Sequence, residues 1–318
     1  MTRVITLCLV IAIILASATA CRRAWRASRP VRGGARVVRE IARPQDQTSR
    51  TEWTPTPTPD MAKTAITYYN RGVAKHDLGE YEAAITDYDE AIRLQSDHAS
   101  AYHNRGLAKA YLSQYEAAIA DFDEAINLQP NANTYHNRGT AKHNLGEYEA
   151  AIADFDEAVR LQPDHADTYH NRGLAKHNLR EYAAAITDYD ETIRLQPNHA
   201  SAYHNRGTAK HALGEYEAAI ADYDEAISLQ PSAYAYYNRG LAKAYLDQYK
   251  AAIADYDEAI RLQPDYANAY YSRGTARHSL GEYAAAITDY DEAIRLQPDN
   301  TNAYDYRDIA KRALEQTE

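Results

Sequence analysis

YHNRGTAKHALGEYEAAIADYDEAISLQP, residues 203–231, is the stretch that decides the fold of this chain. Its opening pattern, Tyr-x-Asn-Arg-Gly, returns at a regular interval, once with Ser in place of Asn. The glycine of the pattern stands at positions 72, 106, 139, 173, 207, 240 and 274. The interval is 34 residues four times and 33 residues twice. A period of this length predicts seven stacked helix–turn–helix repeats in place of a globular domain.

The pattern within one repeat predicts two helices. We number each residue by its offset from the glycine of its own repeat, so Tyr203 is at −4 and Pro231 at +24. Tyr at −4, Gly at 0, Ala at +2 and Leu at +6 share one side of a first helix. A second apolar stripe runs from Tyr at +9 through Tyr or Phe at +16 to Leu at +22. Gly at +7 in four repeats predicts a left-handed turn between the helices, and Pro at +24 in six repeats ends the second helix.

These small and aromatic positions resemble the tetratricopeptide repeat (TPR) family, with Tyr203 where the family usually has Trp. The other matching residues of this repeat are Gly207, Tyr216, Ala219, Tyr223, Ala226 and Pro231. The resemblance covers about residues 65–298 and implies an all-α fold, a right-handed superhelical solenoid of antiparallel helix pairs. Residues 62–298 are predicted to form the seven repeats. Residues 299–318 are predicted to form a capping helix, which has Asp308 in place of the glycine.

Two positions depart from the family pattern. Position −1 is Arg in every repeat, where the family usually has Leu, and +3 is Lys or Arg, where it usually has an aromatic residue. Asp stands at +15 of every repeat, on the second helix. Because a half-buried Arg without a partner is costly, we expect Arg at −1 and Asp at +15 to form an ion pair that repeats along the array. The other acids of the Asp-Tyr-Asp-Glu run at +15 to +18 are expected to form a solvated outer face and not a metal site.

A second stripe on the first helix, at −6, −3, +1, +4 and +5, faces away from the packing stripe. The resemblance implies that this stripe lines the concave groove of the superhelix. It also implies that Asn at −2 can pair with the backbone of an extended peptide, since a carboxamide both donates and accepts. The alternative is that the Asn column bonds to the neighbouring repeat and sets the superhelix geometry. The candidate peptide-binding residues are Asn70, Asn104, Asn137, Asn171, Asn205, Asn238, His103, His136, His170, His204, His143, His177 and His211.

Nine of the twelve histidines fall in this stripe, four at −3 and five at +4. They can form a polar wall and stacking surface for a ligand. They can also make the groove sensitive to pH, because a free imidazole titrates near ~6.5. Metal binding is the third interpretation, but −3 and +4 lie roughly 10 Å apart along one helix, so a metal site would have to bridge repeats.

The charge distribution excludes one class of partner. Residues 1–59 hold ten of the 35 Lys and Arg but only three of the 45 Asp and Glu, which leaves a net charge of about −17 on the rest. Such an acidic array lacks the basic face that nucleic-acid binding requires. Both cysteines lie before the array, and the sequence has no nucleophile elbow, phosphate-binding loop or metal-ligand spacing. We therefore predict neither an enzyme nor a cofactor.

The N-terminus predicts contact with a membrane. Residues 1–20 form a signal peptide or a membrane anchor, because Arg3 precedes an uncharged run and small residues precede Cys21. The pattern resembles a bacterial lipoprotein signal, which implies that Cys21 is lipidated. An uncleaved anchor with its following arginines in the cytoplasm is one alternative, and soluble export or a misassigned start is the other. Residues 21–61 are predicted to be an Arg-rich, then Thr/Pro-rich, disordered linker or a basic segment held at anionic headgroups.

Together these observations favour a membrane-tethered scaffold that binds an extended segment of a partner protein in its groove. We expect it in the bacterial cell envelope as a lipoprotein or anchored in the inner membrane. Two alternatives stay open. One is a structural envelope-assembly component that docks partners by its acidic outer face, and the other is a His-lined pH or metal sensor.

Overall fold

The computed structural model describes residues 58–317, which form fifteen helices and no strand. The signal or anchor segment, Cys21 and most of the predicted linker lie outside the described residues. The helices are α1 (Pro59–Asp77), α2 (Tyr81–Leu94), α3 (Ala99–Tyr111), α4 (Tyr115–Leu128), α5 (Ala132–Asn144), α6 (Tyr148–Leu161), α7 (Ala166–Asn178), α8 (Tyr182–Leu195), α9 (Ala200–Ala212), α10 (Tyr216–Leu229), α11 (Ala233–Tyr245), α12 (Tyr249–Leu262), α13 (Ala267–Ser279), α14 (Tyr283–Leu296) and α15 (Thr301–Glu315).

The helices form seven consecutive pairs, followed by the single helix α15. The odd-numbered helices α1 to α13 are the first helices of repeats 1 to 7, and the even-numbered helices are the second helices. Successive first helices contact each other, whereas within residues 58–317 successive second helices do not. The first helices therefore line the inner, concave side of the array. This arrangement confirms the predicted all-α solenoid of helix pairs.

Helix α1 begins earlier than predicted. The sequence assigns Pro59 and Asp60 to the linker, but both lie in the first turn of α1. Proline is favoured at this point because its ring sets φ for a helix and its missing N–H is not needed there. Thr58 caps the turn, since its hydroxyl accepts a hydrogen bond from the Met61 backbone N at 3.4 Å.

The turn between the two helices is left-handed in all seven repeats. Four repeats have glycine there, with φ between +78° and +81°, as predicted. The other three have Ser113, Arg180 and Asp247, with φ between +58° and +64°. A Cβ makes this conformation unfavourable, so the packing of the helix pair overrides local preference at these three turns.

The core is a row of small clusters, one for each repeat. In repeat 5 the buried ring of Tyr223 packs with Ala219 of its own second helix and Ala242 of the next first helix. Gly207 permits this approach, because a Cβ there would lie 2.9 Å from the Tyr223 ring. The Leu at +22 is less buried than the apolar stripe predicts. It is 37–39% exposed in four repeats and covers only the edge of the core.

Helix α15 packs against α14 at the end of the array, where a cap was predicted. Ala303 and Ala310 are buried in this contact, and Asp308 faces solvent. None of the helices in residues 58–317 is long and apolar enough to span a bilayer.

Candidate peptide-binding groove

The inner face of the array presents a largely uncharged polar surface. Its most accessible positions are −6 and +5 of the first helices, which are exposed except at Tyr245. Position −6 holds Ile66, Ser100, Asn133, Asp167, Ser201, Tyr234 and Asn268, and position +5 holds Asp77, Tyr111, Asn144, Asn178, Ala212, Tyr245 and Ser279. These fourteen positions contain two carboxylates and no Lys or Arg. The groove thus differs from the rest of the array, where charges are dense.

The Asn column lies beside this surface and bonds to neighbouring repeats. Asn205 Nδ2 donates to His170 Nε2 at 3.0 Å, and Asn104 Nδ2 donates to Tyr69 Oη at 3.0 Å. Asn171 and Asn238 donate in the same way to His136 and His204. Each bond joins −2 of one repeat to −3 of the preceding one. The geometry supports the structural role of the column and commits one N–H of each of these carboxamides.

The histidines at −3 are half-buried between repeats. Each ring packs on the aromatic residue at +16 of its own repeat, as His204 does on Tyr223 with ring centroids 5.6 Å apart. Burial lowers the pKa of all four, and that of His136 and His170 to about 4. These imidazoles are therefore neutral at neutral pH. They are not the freely titrating groups that the pH-sensor interpretation requires.

A hydrogen-bonded chain connects the central repeats 3 and 4. Asn171 Nδ2 donates to His136 Nε2 at 3.4 Å, so His136 carries its proton on Nδ1. That N–H donates to Thr168 Oγ1 at 2.9 Å, and the Thr168 hydroxyl lies 2.8 Å from His165 Nδ1. At the same junction His136 packs edge-on against His165, with ring centroids 5.2 Å apart. The loop histidine thus belongs to the repeat interface, a role that the sequence analysis missed.

The histidines at +4 pack edge-on against Tyr at +9 of the same repeat, as His177 does on Tyr182 at 5.1 Å. Burial lowers the pKa of His143, His177 and His211. Within the described array, no group of three or more His, Cys, Asp or Glu side chains is placed to hold a metal ion. The geometry gives no support to the metal-sensor alternative.

The predicted ion pair between Arg at −1 and Asp at +15 is confirmed in all seven repeats. In repeat 5, Arg206 Nε and Nη2 donate to the two carboxylate oxygens of Asp222 at 3.0 and 2.6 Å. Lys210, at +3, approaches the same carboxylate at 2.9 Å. The Asp222 side chain is 5% exposed. The two departures from the family pattern therefore serve one buried carboxylate.

The Asp at +17 is solvent-exposed, as predicted for the acidic outer face, but it is also paired. Arg206 Nη1 also donates to Asp190, the +17 residue of repeat 4, at 2.5 Å. The same contact joins the Arg at −1 of every repeat after the first, and Arg307 of α15, to the preceding repeat. The guanidinium also lies over the ring of Tyr203, 5.4 Å from its centroid. Each such Arg thus joins two repeats. Glu at +18 pairs with Arg at +21 in five repeats, so most of the predicted acidic face is already paired.

Solved structures share this architecture. The C-terminal part of a TPR repeat-containing protein from Cytophaga hutchinsonii has a TM-score of 0.62 and 19% identity, over 75% of this chain and 98% of its own. A tetratricopeptide repeat protein from Parabacteroides merdae has a TM-score of 0.58 and 18% identity, over 78% and 99%. MamA from Desulfovibrio magneticus has a TM-score of 0.51 and 23% identity, over 54% and 97%. At these identities the likeness establishes the fold alone.

Family models match most of the array. Models described as tetratricopeptide repeat match residues 99–131, 166–199, 200–232 and 237–301, and one described as TPR repeat matches 72–112 and 139–179. No protein of curated function matches the sequence. The matches leave only short gaps between residues 72 and 301. This chain belongs to the tetratricopeptide repeat family.

Proposed function

We propose that this protein is a membrane-tethered scaffold that binds an extended segment of a partner protein along the inner face of its first helices. The observation that carries the proposal is the contrast between the two faces. Outside the groove, charged side chains pair with each other within and between repeats. The accessible groove positions instead offer amides, hydroxyls and tyrosines, which can contact a peptide without displacing an ion pair.

The Asn column supports this function indirectly. Its carboxamides hold successive repeats in a fixed relation through their bonds to position −3. A groove whose repeats are held in register needs little reorganisation to accept an extended chain, and this lowers the cost of binding. The oxygen and second N–H of each amide are the groups that a peptide backbone would contact.

Photo-crosslinking from single positions tests the groove. A photoreactive residue replaces Asn144 or Ser201 in the groove, or Glu217 on the outer face as the matched control. We expect crosslinked partner from the two groove positions and none from Glu217. Crosslinking from Glu217 alone would favour the acidic outer face as the docking surface and remove the groove proposal.

Replacing Asn171, Asn205 and Asn238 together with Ala tests the column itself. We expect weaker partner capture, and a melting temperature measured on the same variant separates a binding role from a structural one. Undiminished capture with a lower melting temperature would assign the column to superhelix geometry alone.

The N-terminal sequence is the observation that supports a membrane tether. Residues 4–20 are uncharged and lead into Cys21 through small residues, which resembles a lipoprotein signal, with Ala18 where such signals usually have Leu. Labelling cells with a fatty-acid analogue tests it, with Cys21→Ala as control. We expect label on the wild-type chain only. A wild-type chain that stays membrane-bound without label would instead indicate the uncleaved anchor.

A further inference from the structure

Two clusters of three aromatic rings stand at the edge of the groove. In the first, Tyr81 and Tyr111 stack with centroids 4.8 Å apart and planes 3° apart, and His76 packs edge-on against both. In the second, Tyr216 and Tyr245 stack at 4.7 Å and 10°, with His211 edge-on against both. We call these clusters platform 1 and platform 2.

The platforms are built at two specific junctions. Each needs Tyr at +9 of one repeat and Tyr at +5 of the next. Tyr at +9 occurs in every repeat, whereas +5 is Tyr only in repeats 2 and 6. Repeats 3, 4, 5 and 7 have Asn, Ala or Ser there, so the Tyr at +9 of the repeat before each of them lacks the stacked partner. The platforms are therefore not needed to stack the repeats.

The outer ring of platform 1 is open to solvent. The Tyr111 side chain is 63% exposed, although one of its faces is covered by Tyr81. Tyr245 of platform 2 is half-buried, and burial raises its pKa to about 12. An exposed π-face that the fold does not use is a binding surface for a flat apolar group or for a cation.

Charge decides between these two ligands. The accessible groove positions contain no Lys or Arg, Asp77 and Asp167 are exposed among them, and the chain beyond residue 59 carries about −17. This field attracts a cation and repels an acidic segment. The histidine of each platform is uncharged at neutral pH, because burial lowers the pKa of His76 and His211.

We propose that each platform binds one arginine side chain of an extended, basic partner segment, with the guanidinium lying on the tyrosine face. This inference rests on the proposed groove function and specifies its ligand. The platforms lie four repeats apart. With neighbouring first helices in contact at roughly 10 Å, the separation is about 40 Å, which an extended chain spans with about 12 residues.

A designed peptide tests the proposal. The probe is a fluorescein-labelled Gly/Ser peptide with two arginines about 12 residues apart, measured by fluorescence anisotropy against the full chain in a neutral detergent. The matched probe has citrulline in place of arginine, which keeps the planar shape and loses the charge. We expect the arginine probe to bind more tightly by about two- to five-fold for each platform engaged. This difference should shrink at high salt.

Variants of the platform separate a π-face from a merely apolar surface. Tyr111→Phe should keep affinity, whereas Tyr111→Leu should lose about two- to five-fold, since leucine has comparable bulk and no π-face. Tyr245→Leu should act similarly, and the double variant should lose more than either. Melting temperatures of these variants control for folding.

A gain of function completes the test. Ala212 occupies +5 of repeat 5, next to Tyr182 and His177, which already pack edge-on at 5.1 Å. Ala212→Tyr should build a third platform and tighten the arginine probe, while Ala212→Leu, which adds bulk at the same position without a π-face, should tighten it less.

Two kinds of failure are distinguishable. Equal affinity for the arginine and citrulline probes, with groove crosslinking intact, would overturn the platform proposal and leave the groove function standing. A preference for a proline-rich neutral probe would assign the platforms to apolar contact instead. Absence of groove crosslinking to any partner would remove the groove function itself.

Discussion

Arg71 and Arg206 occupy the same position in repeats 1 and 5, yet their surroundings differ. Arg206 is 17% exposed and donates to two carboxylates, Asp222 of its own repeat and Asp190 of the repeat before it. Arg71 is 56% exposed, and among residues 58–317 it pairs only with Asp87 of its own repeat. The difference comes from the missing neighbour and not from the local sequence. Inside the array, the Arg at −1 is half-buried and links two repeats. At the start of the array, the same residue is a solvated surface charge.

The interior and the ends differ in two further ways. Position −3 is His in repeats 2 to 5 and Tyr in repeats 1, 6 and 7. Position 0 is Gly in all repeats, where the next helix approaches closely, and Asp308 in α15, where no helix of the described residues 58–317 follows. The charges, rings and glycine of one repeat thus contribute to stability through their contacts with the repeat on each side.

Removing the shared carboxylate should have the largest effect. Asp222→Ala leaves Arg206 and Lys210 half-buried without their main partner, and we expect a loss of about 3 kcal/mol in the free energy of unfolding. Asp87→Ala should cost less, about 1 kcal/mol, because water already solvates Arg71. Urea denaturation followed by circular dichroism measures both.

The control for this pair is a surface charge in the same two repeats. Glu217→Ala and Glu82→Ala remove exposed carboxylates at +10, and both should stay within about 0.5 kcal/mol of the wild type. Equal losses for Asp222→Ala and Asp87→Ala would show that the neighbouring repeat contributes nothing to the pair.

Acid should weaken the interior before the ends. The pKa of His170 in the folded array is about 4, below its ordinary value near 6.5, because burial disfavours the charged ring. Between these values the unfolded chain binds more protons, so stability is complete above pH ~6.5 and falls as the pH drops. We expect about 1.4 kcal/mol per pH unit for this histidine, and a similar loss at His136. Urea denaturation from pH 7 to pH 5 measures the loss.

The ends supply the control for the pH effect. Burial raises the pKa of Tyr237 and Tyr271, so these residues at −3 stay uncharged over the whole range. His170→Tyr introduces the residue that the end repeats carry and should remove its share of the pH dependence. Hydrogen exchange should show α5 and α7 losing protection before α11, which contains no histidine. A uniform loss along the array would contradict this order.

The glycine at 0 should matter only where a second helix covers it. Gly207→Ala places a Cβ 2.9 Å from the buried ring of Tyr223 and 3.2 Å from the Ala219 carbonyl oxygen, and we expect a loss of about 1–2 kcal/mol. Asp308→Ala, at the same offset in α15, should be neutral or slightly stabilising. Thermal unfolding of both variants measures the difference.

Much of this architecture could be predicted from the sequence because it repeats. Seven copies show which offsets are small, aromatic or charged, and the pairing of Arg at −1 with Asp at +15 follows from the cost of a buried charge. The second pairing was missed although its signal was present. Asp at +17 stands 15 or 16 residues before the next Arg in every repeat. Sequence spacing alone could not show that this Arg reaches across the repeat boundary.

The remaining features depend on the axial offset between neighbouring helices. The bridge from His136 through Thr168 to His165 and the stacking of Tyr111 on Tyr81 join residues of different repeats at positions where the copies differ. A periodic pattern carries no information about such exceptions. Only the relative placement of the helices brings these side chains together.

The half-exposed carboxylate at +17 gives the smallest effect and the closest test of the link between repeats. Asp190→Ala leaves Arg206 with Asp222 and Lys210 in place, so the loss should be about 0.5–1 kcal/mol, the range of a partly solvated ion pair. The more specific result concerns coupling. In the double variant with Asp222→Ala, Arg206 has neither carboxylate, so the combined loss should exceed the sum of the two single losses. A double-mutant cycle by urea denaturation measures that excess. Simple additivity would mean that Arg206 does not transmit stability from one repeat to the next, and the interior would then differ from the ends only in exposure.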